Sequence, residues 1–474
     1  MKKYTILIAL LIGVSCSIIF LWIQGKLNNN TNTSFSNTNV LLITIDTLRS
    51  DHIGAYGYSE KITPNIDSLA QEGIMFVQVI AQAPYTAPSH ASILTSTYPF
   101  VHNTRNMFFQ DSAGKKIEGV NYPLTPANVT LAEILKEKGY DTAAFVSGWT
   151  LTARFSGLNQ GFDVYEDNLN GVERAADSTN QLVFKWLEKN HKKKFFLWIH
   201  YFDPHFPYSP PESIKTDFIF KKTNIDIDLS NIRKNPYLSD TIKNQEDIAR
   251  QIYLYDMEIK FVDQQVGKLL TMMRAYNIVD HTLIILTADH GESLVEHNEY
   301  FDHGTYLYDV CLKIPLIFKL PHNELSGKVI KQMVQGIDIT PTILGFLKMS
   351  LPDDFQGTSL IPVILDDKMN IMPSAYSESD AVLSERFGER LRAYRENNWK
   401  LIYASDGVTA ESELYNVADD PYETKNLIDE NKELTERLKE KLLLLIKHHP
   451  EKKFEGTQLP DEGTKEKLKS LGYL

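Results

Sequence analysis

The sequence predicts an α/β fold: a mostly parallel sheet sandwiched by helices, followed by a smaller C-terminal antiparallel sheet with one helix. Three observations predict it. Short uncharged, β-branched runs recur from residue 40 onward, the pattern of strands buried on both faces. Segments with helical periodicity separate them, as in a parallel sheet with crossover helices. After about residue 365 the pattern changes to short strands close together in the chain.

Taken in order, residues 40–45 (VLLITI) form the first strand. Residues 64–72 and 130–138 read as helices, the second stopping at Gly139. Residues 141–147 (DTAAFVS), 195–200 (FFLWIH) and 282–287 (TLIILT) are further buried strands. Between the last two, Ile248, Ile252, Tyr255, Ile259, Val262, Val266, Leu269 and Met273 recur at steps of three and four and mark one apolar helix face. Residues 210–245 are polar and proline-marked, a surface excursion. Residues 392–395, 399–404 and 413–417 read as antiparallel strands, and 431–448 as a helix with Leu434, Leu438, Leu442 and Leu445 on one face. The expected organisation is an N-terminal membrane anchor or signal (1–27), a polar linker (28–38), the α/β unit (39–365), the small C-terminal unit (366–449) and a charged tail (450–474).

The 474 residues carry 49 Lys+Arg against 61 Asp+Glu, a net charge of −12, with 43% apolar and 23% charged residues. That composition excludes a disordered or fibrous chain. The acidic balance argues against a nucleic-acid partner, since phosphate backbones are held by Lys/Arg stripes. Two cysteines, Cys16 and Cys311, cannot build a disulfide framework or a thiolate zinc site. Met1-Lys2-Lys3 precedes nineteen uncharged, mostly apolar residues, 5–23. A membrane-crossing helix needs about 20 and a cleaved signal about 7–15. Lysines before the run and only Lys26 just after it favour a cytoplasmic N-terminus. The expectation is a single-pass anchor in the inner or cytoplasmic membrane, with the remaining chain on the periplasmic or extracellular side. Gly13 and the apolar stretch after Cys16 do not suit a lipidated cysteine.

Two strands end in acid-bearing turns, Asp46-Thr47-Leu48-Arg49 and Ala288-Asp289-His290-Gly291-Glu292. Ligands gather beyond the carboxyl ends of parallel strands. Either aspartate alone suits a helix cap. Together with His290 they form a hard-to-borderline site for a divalent cation. In Pro84-Tyr85-Thr86-Ala87-Pro88-Ser89-His90, a hydroxyl residue stands between prolines ahead of a helix, where an anion is stabilised. Thr86 or Ser89 is a candidate nucleophile or a plain cap. Of thirteen histidines, His200, His205, His290, His297 and His303 lie in or beside loops after buried strands. His205 stands between Pro204 and Pro207, and His303 in the loop closed by Gly304. Imidazoles there bind anionic ester oxygens or protonate a leaving group. His191, His448 and His449 lie in charged surface runs and carry no such expectation.

These stretches resemble the sulfatase family within the alkaline phosphatase superfamily, over most of residues 40–430. The resemblance rests on NVLLITIDTLRSDHIGAYGY from Asn39, TAPSHASILTSTYP from Thr86, TLAEILKEKGYDTAAFVSG from Thr130, YFDPHFPY from Tyr201, YDMEIKFVDQQVGKLL from Tyr255 and TLIILTADHGESLVEH from Thr282. NNWKLIY from Asn397 and ELYNVADDPYETKNL from Glu413 resemble the family's closing hairpin and return segment. The resemblance implies an alkaline-phosphatase-like α/β domain with a small C-terminal antiparallel sheet, and a metal-dependent ester hydrolase. It also exposes departures. Where the family carries a Cys or Ser that becomes formylglycine, this chain has Thr86, and where it carries Arg, His90. Of the family's paired aspartates Asp46 remains, followed by Thr47. His303 matches a family lysine, and the family's Lys-Trp-His segment falls near Ser147-Gly148-Trp149 without basic residues.

A threonine cannot become formylglycine, and the resemblance shifts toward superfamily branches that transfer or hydrolyse phosphoryl groups. A bound cation lowers a hydroxyl's pKa enough to make it a nucleophile. The expected enzyme cleaves anionic esters, phosphate favoured over sulfate, through a covalent intermediate on Thr86. Asp46, Thr86, Asp289 and His290 hold one divalent cation, Zn or Mn before Ca or Mg. His205 and His303 bind non-bridging oxygens or protonate the leaving group, and His90 orients the nucleophile loop. The substrate is an anionic ester, with a glycan or lipid as its carrier. The alternatives are a sulfuric ester hydrolase, a phosphotransferase to a lipid or glycan hydroxyl, and a non-catalytic binding protein.

Overall fold

The computed structural model describes residues 37–110, 116–215, 232, 238, 241–366, 369, 374–379, 391–404 and 411–449. The expected anchor, the linker as far as residue 36, much of the 210–245 excursion and the tail from residue 450 lie outside the described residues. Among the described residues no helix is long and apolar enough to cross a membrane.

The main sheet has eight strands: β1 (Asn39–Ile45), β2 (Ile74–Ile80), β5 (Asp141–Phe145), β6 (Val164–Glu166), β7 (Phe195–Tyr201), β8 (Thr282–Ala288), β9 (Lys313–Lys319) and β10 (Lys328–Gln335). Their order is β10-β2-β9-β8-β1-β7-β5-β6, and β3 (Arg105–Gln110) and β4 (Lys116–Tyr122) pair apart as a hairpin. All neighbours in the main sheet run parallel except β9, which is antiparallel to both β2 and β8. Every residue of β1, β7 and β8 is buried. That needs helices on both faces, as the uninterrupted apolar runs predict. Strand β5 ends at Phe145, two residues short of the predicted Ser147.

Strands β2, β6, β9 and β10, the β3–β4 hairpin and the first strand of the C-terminal sheet, Ser374–Ser379, were not among the predicted strands. Pro315 explains the silence of β9, since a proline removes a ladder donor and argues against a central strand. The sheet accommodates it with a register shift in β2 between Phe76 and Val79, opposite Leu316 and Ile314.

Helices α1 (Pro64–Gln71), α2 (Thr86–Thr95), α3 (Leu131–Glu137), α4 (Ala176–Asn190), α5 (Gln245–Ala275) and α6 (Ile339–Phe346) cover the sheet. Thr130 caps α3 in a reciprocal box with Glu133, and Asn244 caps α5 likewise with Asp247. In the predicted apolar face of α5 all residues but the half-buried Ile252 are buried. After the main sheet, β11 (Ser374–Ser379), β12 (Leu391–Glu396), β13 (Trp399–Ala404) and β14 (Glu413–Asn416) form a four-stranded antiparallel sheet. Helix α7 (Lys432–His448) buries Leu438 and Leu442 against it, in a cluster with Tyr98, Phe100, Leu401 and Leu414.

Candidate active site

Parallel pairing assembles the site. Ile45 at the end of β1 lies in register with Tyr201 of β7 on one side and Ala288 of β8 on the other. Asp46 and Asp289 therefore leave neighbouring strands at the same level. The Asp46 N–H donates to the Tyr201 carbonyl at 2.9 Å. Thr47 then takes φ +53°, a left-handed conformation that is costly for a β-branched residue. Its hydroxyl donates to Pro204 O and its carbonyl accepts the Tyr255 hydroxyl, each at 2.8 Å, so the turn is held from β7's loop and from α5.

On β8's side the His290 Nδ1–H donates to Gly291 O at 2.8 Å, which leaves the lone pair on Nε2. Nε2 stands 3.5 Å from Asp46 Oδ1, from Asp289 Oδ2 and from Thr86 Oγ1. Glycine is required next, because a Cβ on Gly291 would sit 2.1 Å from Val310 O.

Thr86 is the first residue of α2, whose ten residues are all buried. The sequence leaves Thr86 and Ser89 both open as nucleophiles, and the geometry separates them. Ser89 Oγ donates to the Asp289 carbonyl at 2.6 Å and ties α2 to the β8 turn. Thr86 Oγ1 faces the aspartate–histidine cluster. Behind it, the His90 Nδ1–H donates to Thr86 O at 2.8 Å, and its Nε2 accepts the Thr44 hydroxyl at 3.0 Å. That hydroxyl in turn accepts Trp198 Nε1–H at 3.0 Å. With both ring nitrogens committed, His90 orients the first turn of α2 and is no proton carrier. Burial keeps it neutral, its pKa pulled down to about 3.

His205 and His303 stand edge to face, ring centres 5.0 Å apart, and the His303 ring is 4.5 Å from that of His290. The His205 Nδ1–H donates to Phe206 O at 2.6 Å, and burial lowers this pKa to about 4. Burial acts on His303 in the same direction, but Glu292 Oε1 lies 3.2 Å from its Nδ1, and with Asp302 and Asp46 raises the pKa to about 9. His303 is thus an imidazolium beside a neutral His205.

Burial raises the pKa of Asp46, and that of Asp289 is raised further by Asp46 itself. Both oxygens of Asp46 and Oδ2 of Asp289 are buried without a hydrogen-bond partner. Ligand atoms of Asp46, Asp289 and His290 all lie within 4.8 Å of one another. Unpaired carboxylate oxygens, an imidazole lone pair and a hydroxyl are a donor set that fits a divalent cation. A second close triad, His90, His200 and Asp289, has no such fit, because neither nitrogen of His90 keeps a free lone pair.

The structure therefore brings together Asp46, Thr86, His90, Asp289 and His290, with His205 and His303 at one side. It adds residues that the sequence did not single out. Glu292 holds His303, and its signal was its place in the same ADHGE run. Tyr255 appeared only as a core position of α5. His200, already singled out as one of the strand-end histidines, faces Asp46.

The sulfatase family signature matches residues 38–349, and an N-sulphoglucosamine sulphohydrolase C-terminal signature matches residues 296–448. The chain is similar to the N-acetylglucosamine-6-O-sulfatase of Bacteroides thetaiotaomicron, with 24% identity over 86% of this chain and 85% of that one. It is similar to Arylsulfatase K of Mus musculus at 22% identity, over 86% and 79% of the two chains. Among solved structures, the phosphonate monoester hydrolase of Agrobacterium radiobacter superposes with a TM-score of 0.67 at 21% identity, over 87% of this chain and 96% of that one. A protein in complex with its substrate D-glucosamine-2-N,6-O-disulfate gives 0.69 at 21% identity, over 87% and 98%. The chain belongs to the sulfatase family and is an ester hydrolase.

Proposed function

We propose that this enzyme cleaves anionic esters through a covalent intermediate on Thr86, with phosphate esters or diesters preferred over sulfate. The observation that carries the reading is Thr86 Oγ1, 3.5 Å from His290 Nε2 and beside two aspartates with unpaired oxygens. Asp46, Asp289 and His290, together with Thr86 Oγ1, would hold one divalent cation. Zn or Mn suits a set with an imidazole and only two carboxylates better than Ca or Mg. When bound, such a cation lowers the pKa of the hydroxyl and offsets the charge of the ester oxygens.

Thr86 Oγ1, having released its proton to solvent, attacks in line and forms the bond to the ester centre as the bond to the leaving oxygen breaks. His303, an imidazolium held by Glu292, gives its proton to the leaving oxygen or binds a non-bridging oxygen, and His205 shares that edge of the site. In the second half water attacks the Thr86 ester and returns a proton to His303, and the threonine oxygen is released. Similarity to a phosphonate monoester hydrolase supports phosphoryl chemistry.

A second reading, hydrolysis of sulfate esters on sugars, is favoured by the names of the relatives. A third, transfer of the phosphoryl group to a lipid or glycan hydroxyl, differs only in the acceptor. The apolar run at residues 5–23 supports a single-pass anchor with the catalytic part outside the inner or cytoplasmic membrane. A soluble mature protein starting near Asn28 would overturn that. The function is tested by a panel of phosphate monoesters and diesters, phosphonate monoesters and sulfate esters, with and without added metals and acceptor alcohols. Phosphate esters should turn over fastest and chelation should abolish turnover. Sulfate-ester cleavage exceeding every phosphate ester would reject the phosphoryl reading.

A further inference from the structure

His200 stands in β7, next to its carboxyl end, fully buried behind the aspartate cluster. Its ring is fixed from behind. Ser147 N–H donates to Nδ1 at 3.4 Å, and Ser147 Oγ donates to the His200 carbonyl at 2.6 Å. With Nδ1 accepting, the proton of the neutral ring sits on Nε2. That Nε2–H has no hydrogen-bond partner, and it stands 3.3 Å from Asp46 Oδ2, itself without one. The two oxygens of Asp46 are thereby divided: Oδ1 lies toward His290 Nε2 at 3.5 Å and Oδ2 toward His200.

We infer that His200 is a positioning residue for the cation site, its Nε2–H facing Oδ2 of Asp46 across 3.3 Å and biasing the carboxylate so that Oδ1 is presented to the cation. A buried carboxylate next to Thr47, in a strained turn, needs such a partner to keep one orientation, and outer-shell donors of this kind tune metal affinity about 10–100-fold. The inference rests on reading Asp46 as a metal ligand.

The test measures Zn²⁺ and Mn²⁺ affinity of the full-length protein in detergent, by competition with a chromophoric chelator, together with the Tm of the chelated protein. His200→Leu keeps an apolar filling but no donor and should weaken the metal about 10–100-fold, with the chelated Tm near that of the wild type. His200→Gln restores an N–H near the position of Nε2 and should recover affinity to within a few-fold. Should His200→Leu fail to fold, His200→Asn replaces it, its amide too short to reach Asp46 and its affinity expected to fall like that of Leu. Wild-type affinity in the variant lacking the donor would overturn the inference. So would equal losses in Gln and Leu together with a lowered chelated Tm, which would assign His200 to packing. A wild-type protein that binds no cation, or an Asp289→Asn variant that binds as tightly as wild type, would instead reject the site itself.

Discussion

Among the described residues, two of the buried clusters of charged side chains are built on opposite principles. Where the small sheet meets the main one, Asp309 bonds Arg395 and Lys400 at 2.8 Å each, and Lys400 reaches Glu423 at 2.6 Å. Two cations meet two carboxylates, and although burial opposes it, Arg395 and Lys400 hold the Asp309 carboxyl well below the usual carboxylate range. At the carboxyl ends of β1 and β8 two carboxylates meet the neutral imidazoles of His90, His200 and His290, and the pKa values of Asp46 and Asp289 are raised. Uncompensated burial is costly, and a fold keeps it where a ligand completes the charge. The first cluster joins two sheets; the second has the electrostatics of a binding site.

The largest expected effect is at Thr86. Thr86→Ala should lower kcat by about a thousand-fold or more while leaving the fold and the Asp46, Asp289 and His290 ligands in place, and Thr86→Ser should retain measurable turnover, read by steady-state kinetics. Next, Asp289→Asn should abolish stoichiometric metal by elemental analysis, yet its cation-free Tm should equal or exceed the wild type's, because the change removes an unpaired buried charge.

Asp309→Asn should behave in the opposite way. Metal and turnover per folded molecule persist, while unfolding free energy drops by about 3–5 kcal/mol in a denaturant titration, as when one partner of a buried pair is lost. The pH dependence contributed by Asp309 has the opposite sign to that of Asp46 and Asp289. The folded pKa of Asp309 is depressed, so its stabilisation is present above the unfolded value of about 4 and is lost as pH falls through the folded one. Asp46 and Asp289 are raised, so the cation-free protein loses stability as pH rises from about 4 through their folded values. The smallest expected effect is Ser89→Ala, which removes one buried hydrogen bond worth about 1 kcal/mol and leaves turnover largely intact. Inactivity there with an unchanged fold would return Ser89 to the list of nucleophiles.

How much of this was legible in the sequence follows from the physics of each residue. Strands β1, β7 and β8 announce themselves because burial on both faces demands uninterrupted apolar, β-branched runs. Strand β9 does not, since Pro315 is tolerated only through a register shift in its neighbour. Asp46, Asp289 and His290 were legible because parallel strands bring their carboxyl-terminal loops together. The work of His200 was not, because a tautomer fixed by Ser147 and a 3.3 Å approach to Asp46 exist only in three dimensions. The compensated cluster was silent for the same reason, as nothing in the spacing of Asp309, Arg395, Lys400 and Glu423 says that they meet.

In the proposed reaction Thr86, set against the Asp46–Asp289–His290 cluster, is the group that takes the ester. The most direct test of that role is peptide mass spectrometry of the wild-type protein, quenched during turnover of a slow phosphate ester. The expected result is a peptide containing Thr86 heavier by one phosphoryl group, with the adduct absent after chelation and in Asp289→Asn. An unmodified Thr86 under conditions where product accumulates and the intermediate should be trapped, or a phosphoryl group on Ser89, would contradict it.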